Sequence, residues 1–409
     1  MCRPRQDRNP FWDRRIFFAD KPALTVAILK SKNYINLDIL LVVSISVCCG
    51  GIVLKLKIHR TFFALLLFIV SGFLSSAVFS QNQDNKAVPA LTKVVFTPQW
   101  FPQAQFAGYY MAQELGIYNK YGLDVVFQYK QPQRTLISVL TEKNADFVTD
   151  FLASGIKMRA NGIKIINIGQ ISQRSALVFV ARKSSGIKKL EDINGKKVGI
   201  WMTDFQEVPK ALLERHKIKA EIIPVVSGIE LFLCRGIDVI AVMWYNEYHE
   251  LLSSGINEDE ITTFFFNDYN LDIPEDGIYC LRETYEKNPE MCRNFTKASL
   301  EGWQEAFKNK KRTLEIIRKY CRENHIPYNN AHQSWMLNRM EELIFPSGGK
   351  HVAGFLAPKM YLDTAKKLKF TGVIKTIPPY GEFYKNVLNG NTSSGRDESI
   401  SGKEEDVQK

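Results

Sequence analysis

Residues 100–125 read WFPQAQFAGYYMAQELGIYNKYGLDV, and this stretch decides which fold the sequence predicts. A short apolar strand at 93–97 precedes it, and two prolines then interrupt the backbone. An amphipathic helix is expected over about 105–120, where apolar residues recur at helical spacing. Gly122 stands where a helix end favours a left-handed residue, and 123–127 resumes as a strand. The stretch therefore predicts a strand, an aromatic loop, a helix and a second strand.

Strands and helices continue to alternate along the chain. Short apolar runs predict further strands at 146–150, 163–171, 175–182, 197–201, 221–225, 239–243, 262–266 and 278–282. Helical spacing predicts helices at 133–142, 155–160, 207–216, 228–234, 246–253, 290–309, 311–324, 331–343 and 359–368. Such alternation is typical of an α/β fold with mainly parallel sheets flanked by helices.

The chain is expected to form two lobes. A charged, glycine-containing segment at 183–195 marks a change of composition. Lobe 2 (183–277) is expected to be inserted into lobe 1, which comprises 92–182 with 278–389. Two crossings between the lobes would make a hinge with a ligand cleft beside it. Residues 390–409 are polar and charged, which predicts a disordered tail.

The candidate ligand site lies at the carboxyl ends of the predicted strands, where ligands of open α/β sheets bind. Aromatic rings there suit a flat ligand held by stacking. Asp150, Glu247 and Asp276 would accept hydrogen bonds from ring amino groups, and only Arg174 offers a cation, which disfavours a small anion. The candidate ligand-binding residues are Trp100, Tyr109, Asp150, Phe151, Gln173, Trp201, Trp244, Tyr245, Glu247 and Asp276.

Several candidates also have an explanation that involves no ligand. Trp100, beside prolines, would cap the core, and Glu247 would stabilise the first turn of a helix. Trp244 and Tyr245 are adjacent, so at most one of them faces the cleft if the strand continues through them. Of the three aromatic residues where the first helix begins, Tyr109 is the one expected in the cleft.

The chain resembles the substrate-binding proteins of the thiamine-pyrimidine-precursor type, in the type II periplasmic binding-protein superfamily of ABC importers. The resemblance covers roughly residues 92–385. It implies a monomeric periplasmic protein that binds hydroxymethylpyrimidine or formylaminopyrimidine and delivers it to a permease and its ATPase. The matching segments are Trp100, AGYY at 107–110, GLDV at 122–125, GIKKLEDINGKKVG at 186–199, WYNE at 244–247 and PEDG at 274–277.

One branch of this family is an enzyme, a pyrimidine synthase that consumes its own pyridoxal phosphate and a histidine. The chain departs from that branch, because Asp150 and Ser154 stand where the enzyme has a lysine and a histidine. A Schiff base needs a lysine amine. No catalytic residue, cofactor or metal site is therefore expected. Gln105 and Phe106 replace the Asn-His of close pyrimidine binders, which weakens the identity of the ligand more than the fold. The alternatives are a ligand-sensing protein for a membrane signalling partner, a binder of a sulfonate- or nitrate-type anion and, last, the enzyme.

The net charge of +11 is concentrated near the start of the chain. Residues 1–80 carry eleven basic and four acidic side chains, which leaves 43 basic against 39 acidic side chains elsewhere, a net charge of +4. No basic block with interleaved aromatic residues follows. Binding to nucleic acid is therefore not expected.

Residues 1–80 predict a leader. Basic residues, an apolar core at 62–70 and small residues up to Ala77 or Ser80 are typical of a secretory signal peptide, and 1–55 would be an upstream extension. The alternative is a membrane anchor through 39–79, formed as a hairpin of two helices. The signal peptide would place the mature protein in the periplasm.

Four of the seven cysteines lie beyond the leader, without the spacing of a zinc site. Four separately buried thiols are expected at Cys234, Cys280, Cys292 and Cys321. The alternative is one disulfide, for which Cys292 and Cys321 are the candidate pair.

Overall fold

The computed structural model describes the backbone of 24–29, 39–45 and 52–58, and residues 90–129, 134–202, 205–226, 228–347 and 352–389. The chain divides into two compact units, Met1–Val88 and Pro89–Lys409.

In the first unit, three described strands form an antiparallel sheet in the order β1 (Leu24–Leu29), β2 (Ile39–Ile45) and β3 (Ile52–Ile58). The apolar run from 39 to 54 is thus shared between two strands, where the membrane-anchor alternative expected a helix. The predicted signal-peptide core at 62–70 and both expected cleavage sites lie outside the described residues. Of the helices that the structure describes, none has both the length and the apolar character to cross a membrane.

The second unit contains the other ten described strands and the helices. The strands are β4 (Thr92–Thr97), β5 (Leu123–Phe127), β6 (Phe147–Phe151), β7 (Ile165–Gln170), β8 (Leu177–Arg182), β9 (Lys197–Trp201), β10 (Glu221–Val225), β11 (Val239–Met243), β12 (Ile261–Phe265) and β13 (Asp276–Leu281). The α-helices are Ala107–Glu114, Ile117–Lys120, Leu136–Thr141, Leu152–Ala160, Glu207–Arg215, Glu230–Leu233, Glu247–Ser253, Arg282–Lys287, Pro289–Lys308, Lys310–Glu323, Asn330–Ile344, Pro358–Phe370 and Tyr380–Phe383.

These strands form two five-stranded sheets, one in each lobe. The lobe 1 sheet has the order β5-β4-β6-β13-β7, and the lobe 2 sheet has the order β10-β9-β11-β8-β12. In each sheet one strand, β13 or β8, runs antiparallel to both of its neighbours, and the remaining strands run in a common direction. The prediction of two α/β sheets with mainly parallel strands therefore agrees with the structure.

The boundary between the lobes differs from the predicted one. Residues 175–182 were expected in lobe 1, but β8 pairs with β11 and β12 in the sheet of lobe 2. The strand is apolar and buried almost throughout, so it needs a partner on both edges, and lobe 2 provides both. The chain therefore crosses into lobe 2 through 171–176 and returns through 270–275, just before β13.

The predicted single helix over 105–120 is also divided. A 3-10 turn at Ala104–Phe106 leads into the helix Ala107–Glu114, and a further helical turn begins at Ile117. Gly116 separates the two with a φ of 66°, a conformation that glycine adopts without steric cost. The break turns the chain towards β5.

The long helix Pro289–Lys308 covers the sheet of lobe 1. It begins where Asn288 Oδ1 accepts a hydrogen bond from Met291 N at 3.0 Å, with proline at the first helical position. It crosses the helix Ala107–Glu114 so closely that a Cβ atom at Gly302 would lie 2.1 Å from the carbonyl oxygen of Gly108. Glycine at this crossing lets the two backbones approach.

The described cysteines are all free thiols. Cys280, Cys292 and Cys321 are buried, whereas Cys234 is exposed. The candidate disulfide between Cys292 and Cys321 is therefore not formed in the structure. The expectation of a buried thiol is wrong for Cys234, because it lies at the exposed end of a short helix.

The two crossing segments are joined to each other by hydrogen bonds. The amide groups of Ile171 and Ser172 each donate to the carbonyl oxygen of Asp276 at 2.9 Å. Glu275 Oε1 accepts from Ala176 N at 2.6 Å and from Ser175 Oγ at 3.2 Å. Glu275 is buried, so its carboxyl group holds the hinge together in a place that water does not reach.

We expect Glu275→Ala to lower the free energy of unfolding by about 1–3 kcal/mol, because the buried N–H of Ala176 would lose its acceptor. Urea denaturation measures the change. Glu214→Ala, which removes an exposed glutamate from a helix, provides the control. Equal stability losses in the two variants would contradict the proposed role of Glu275 in the hinge.

Candidate ligand-binding cleft

A cleft between the two lobes of the second unit encloses about 460 Å³, including the space at its mouth. Both lobes contribute side chains through loops that follow β4, β6, β9 and β11. The described residues that line it are Gln99, Trp100, Gln103, Gln105, Phe151, Leu177, Trp201, Phe205, Val242, Met243, Tyr245, Asn246 and Glu247.

Aromatic side chains from both lobes meet in this cleft. The ring of Trp100 from lobe 1 lies edge to face with Trp201 and Phe205 from lobe 2, at centroid distances of 6.3 and 6.1 Å. Phe151 contacts Phe205 in the same way at 4.8 Å. The indole Nε1 of Trp201 donates to the carbonyl oxygen of Ala241 at 2.9 Å, which holds the ring in place. Such a surface favours a flat, partly apolar ligand.

Amide side chains also line the cleft. Gln99 and Gln105 lie on the loop that follows β4, and each donates its Nε2 to the carboxylate of Asp276, at 3.0 and 2.9 Å. Gln103 Nε2 donates to Gln105 Oε1 at 2.7 Å. Asn246 lies in the facing loop of lobe 2. The described lining residues include no lysine, arginine or histidine, so the cleft presents amide groups and the carboxyl group of Glu247 beside the aromatic rings.

The buried carboxyl groups near the cleft are bonded to the protein itself. Glu247 Oε2 accepts from Met243 N at 2.9 Å, and its Oε1 accepts from Asn246 Nδ2 at 2.7 Å. Burial raises the pKa of Glu247 to about 7. Burial also raises the pKa of Asp276 to about 6, against the lowering effect of the hydrogen bonds from Gln105 and Gln99. Both carboxyl groups therefore act as hydrogen-bond acceptors for neighbouring protein groups, and this role is clearer than any contact with a ligand.

The raised pKa of Glu247 predicts a pH dependence of stability. A carboxyl group with a higher pKa in the folded protein binds its proton more tightly there, so its contribution to stability falls as pH rises between the two pKa values. For Glu247 this window extends from about 4.5 to about 7. We expect Glu247→Gln to remove this loss. As pH rises from about 5 to about 8, the free energy of unfolding of the variant should therefore increase by about 2 kcal/mol relative to that of the wild type.

Urea denaturation at the two pH values measures this gain. Glu214→Gln, which removes an exposed carboxylate in lobe 2, controls for the loss of one negative charge. The same stability difference between Glu247→Gln and the wild type at both pH values would contradict the prediction.

Half of the sequence-predicted site residues line the cleft, namely Trp100, Phe151, Trp201, Tyr245 and Glu247. Tyr109 does not. It lies in the core of lobe 1, where its ring contacts Phe96 at 4.8 Å and Trp303 at 5.9 Å. The helix Ala107–Glu114 packs against the long helix Pro289–Lys308, and the Tyr109 side chain lies between the two in the core. The expectation that Tyr109 faces the cleft is therefore wrong.

Trp244 also lies outside the cleft, so the prediction that it contacts the ligand is wrong. Its ring packs against Phe265 at 6.0 Å and under the guanidinium group of Arg339 at 4.5 Å. The adjacent side chain, Tyr245, takes the position in the cleft. Of this pair, only Tyr245 is available to a ligand.

Three further candidates lie beneath or beside the cleft. Asp150 Oδ1 accepts from the amide of Phe151 at 2.7 Å. Gln173 belongs to a crossing segment, and its Nε2 donates to the carbonyl oxygen of Gln170 at 2.7 Å. Asp276 begins β13 and holds two glutamines of the lining. The structure thus places these three as supports of the site, where the sequence suggested ligand contacts.

The described lining residues that the sequence did not predict all have neutral side chains. Gln99, Gln103 and Gln105 belong to a loop with prolines and aromatic residues, where polar side chains usually indicate only solvent exposure. The available signal was their position, because all three follow the predicted strand at 93–97 within TPQWFPQAQ. Phe205 and Asn246 follow β9 and β11 and obey the same strand-end rule that found their neighbours.

The helix Asn330–Ile344 connects the lobes at the rim of the cleft. It packs against the turn at 104–106 of lobe 1 through Gln333. From the same helix, Trp335 Nε1 donates to the carbonyl oxygen of Trp244 in lobe 2 at 3.0 Å. His332 Nε2 lies 3.0 Å from Asn246 Oδ1, which belongs to the lining of the cleft. Contacts between the lobes therefore extend to the lining of the candidate site.

Comparisons with known proteins agree with this arrangement. A family model described as NMT1/THI5 like matches residues 103–313. The riboflavin-binding protein RibY of Chloroflexus aurantiacus is 24% identical over 245 residues, which cover 58% of the chain and 69% of RibY.

Solved structures share the fold at low identity. The ligand-binding component of an ABC-type import system from Staphylococcus aureus, with zinc bound, is 13% identical with a TM-score of 0.53, over 74% of this chain and 99% of that one. The periplasmic aliphatic sulphonate-binding protein SsuA of Escherichia coli is 14% identical with a TM-score of 0.54, over 70% of this chain and 94% of that one. These likenesses confirm the predicted two-lobe periplasmic binding-protein fold.

Among the described residues, no group of three or more histidine, cysteine, aspartate or glutamate side chains is arranged to hold a metal ion.

Proposed function

The chain belongs to the NMT1/THI5-like family, and from this premise we propose that it captures a small, flat aromatic nitrogen heterocycle outside the cytoplasm and delivers it to an ABC importer. The heterocycle lies in the cleft between the lobes, and the permease and ATPase of the importer are the partners. In this proposal the protein is a monomer that binds its ligand and is not an enzyme. No lysine among the described lining residues could form a Schiff base with a cofactor or substrate.

The observation that carries the proposal is the composition of the cleft. Trp100, Phe151, Trp201 and Phe205 supply ring faces and edges from both lobes, and the described lining has no cationic side chain. Recognition of a sulfonate or nitrate would call for cationic or converging N–H donors. The aromatic rings and amides instead suit a neutral ring with polar atoms at its edge.

Two related ligand classes satisfy this chemistry. The sequence resembles binders of thiamine pyrimidine precursors, and the relative RibY is named for riboflavin. Both ligands contain a planar nitrogen heterocycle with N–H groups and ring acceptors. The proposal is therefore stated for the heterocycle that they share.

Ligand capture would proceed by closure of the hinge. The ligand touches both lobes only when they are closed, so it stabilises that state by its higher affinity for it. The crossing segments 171–176 and 270–275 form the hinge about which the lobes would move.

Thermal unfolding of the protein with a ligand panel tests the proposal. The panel contains hydroxymethylpyrimidine, formylaminopyrimidine, thiamine, riboflavin, lumiflavin, taurine and nitrate. A ligand at a hundredfold over its dissociation constant adds about 2.7 kcal/mol of stability, a rise of several degrees in Tm. A rise with one of the heterocycles and none with taurine or nitrate would support the proposal. A rise with the anions alone would overturn it.

A further inference from the structure

The carboxylate of Asp276 holds two glutamine side chains of the cleft at once. Its Oδ1 accepts from Gln99 Nε2 at 3.0 Å, and its Oδ2 accepts from Gln105 Nε2 at 2.9 Å. All three residues are at least 97% buried. Asp276 lies in the chain some 170 residues after the glutamines, and β13 brings it beneath them.

This arrangement determines which end of each amide faces the ligand. An amide side chain has a donor end and an acceptor end, and an ionised carboxylate can only accept. Both glutamines therefore turn their NH₂ groups to Asp276 and their carbonyl oxygens away from it. Gln105 Oε1 is taken by Gln103 Nε2 at 2.7 Å. Gln99 Oε1 is buried and has no hydrogen-bond partner in the described part of the chain.

Gln99 is also held in position by its backbone. Its amide N donates to Thr149 Oγ1 at 2.9 Å, and it directly precedes Trp100, whose ring belongs to the aromatic side of the cleft. Gln99 and Trp100 both line the cleft, so a ligand that contacts Trp100 lies in the same cavity as the Gln99 side chain. A buried acceptor without a partner costs free energy, and a donor on the ligand would remove this cost.

Building on the proposed function, we propose that Asp276 is a positioning residue that makes Gln99 Oε1 a fixed hydrogen-bond acceptor in the cleft. The ligand is then a neutral flat heterocycle that carries an N–H donor in the ring plane, either an imide N–H or an amino N–H. Heterocycles in which this nitrogen is fully alkylated are rejected.

Two matched ligand pairs measure this selectivity by isothermal titration calorimetry on the full chain. One pair is lumiflavin and 3-methyllumiflavin, and the other is hydroxymethylpyrimidine and its 4-dimethylamino derivative. We expect the wild type to bind the N–H member of a pair at least about tenfold more tightly, because the alkylated member leaves Gln99 Oε1 unpaired.

Asp276→Asn tests the positioning role. Asparagine offers one carbonyl oxygen and one NH₂ group, so one of the two glutamines must turn its own carbonyl towards it. Gln99 is the one expected to turn, because Gln105 would lose its bond with Gln103. The variant should then discriminate within a ligand pair by less than about threefold. Gln99→Met, which removes the acceptor without changing Asp276, should abolish the discrimination as well.

Glu214→Gln is the control. It neutralises an exposed carboxyl group of lobe 2 that does not line the cleft, and it should keep the wild-type discrimination. Equal affinity of the wild type for both members of a pair, or wild-type discrimination in Gln99→Met, would overturn this inference and leave the proposed function standing. Absence of binding by all four compounds, together with no rise in Tm with any heterocycle of the panel, would overturn the proposed function and this inference with it.

Discussion

Trp100→Ala is expected to weaken binding of the heterocycle by about 5- to 150-fold, because stacking of a base on an aromatic side chain contributes about 1–3 kcal/mol. Trp100 is the lobe 1 ring that meets both Trp201 and Phe205 of lobe 2. Its removal would also open the side of the cleft where the lobes come into contact. Calorimetric titration with the ligand found by thermal unfolding measures the loss.

Phe101→Ala is the matched control for Trp100→Ala. Phe101 is the next residue in the loop, is 42% exposed and does not line the cleft. This variant should bind the ligand within about threefold of the wild type. If both variants bind as the wild type does, Trp100 is not part of the site.

Gly302→Ala is expected to destabilise lobe 1 by about 3 kcal/mol or more, the upper end for overpacking of a core. Glycine to alanine in a helix normally stabilises by about 1 kcal/mol, so the sign of the effect is diagnostic. Here the added Cβ would lie 2.1 Å from the carbonyl oxygen of Gly108 and 2.7 Å from Ala112 Cβ. Both atoms belong to a buried helix, so neither can move aside easily.

Urea denaturation of Gly302→Ala and Gly236→Ala measures this effect. At Gly236 the nearest atom to an added Cβ is 3.3 Å away, so the same chemical change meets far less crowding there. A stability of Gly302→Ala equal to that of the wild type would show that the helix crossing can open without cost, against the prediction.

The parts of the site that the sequence predicted follow from a local rule. Trp100, Phe151, Trp201 and Tyr245 come directly after or at the end of a strand, and strand ends of a common direction meet at one edge of a sheet. Strand ends can be recognised from short apolar runs alone. The aromatic half of the cleft was therefore accessible from the sequence.

The amide half depends on contacts that no local rule reveals. The sequence predicts Asp276 as a hydrogen-bond acceptor for the ligand, but in the structure Gln99 and Gln105 donate to its two carboxylate oxygens. That pairing requires β13 to lie between β6 and β7, an order that the sequence does not display. The prediction that Tyr109 faces the cleft is wrong for a similar reason, since the helix that buries this side chain begins some 180 residues later.

The lobe boundary was misplaced because β8 reads as a buried strand in either lobe. Its sequence LVFVAR has no feature that assigns it to one of the two mainly parallel sheets, and only its antiparallel pairing with β11 and β12 places it in lobe 2. Hydrophobic periodicity predicts whether a segment forms a helix or a strand. It says little about which other elements that segment pairs with.

The helix Asn330–Ile344 has a consequence for how tightly any ligand is held. Trp335 and His332 reach across to Trp244 and Asn246, so part of the free energy that favours closed lobes comes from protein groups and not from the ligand. Apparent affinity equals intrinsic affinity multiplied by the fraction of molecules that are already competent to bind. Substitutions in this helix would therefore change the ligand concentration at which half of the protein is bound. Each tenfold change in the competent fraction changes that concentration tenfold, while the groups that contact the ligand stay the same.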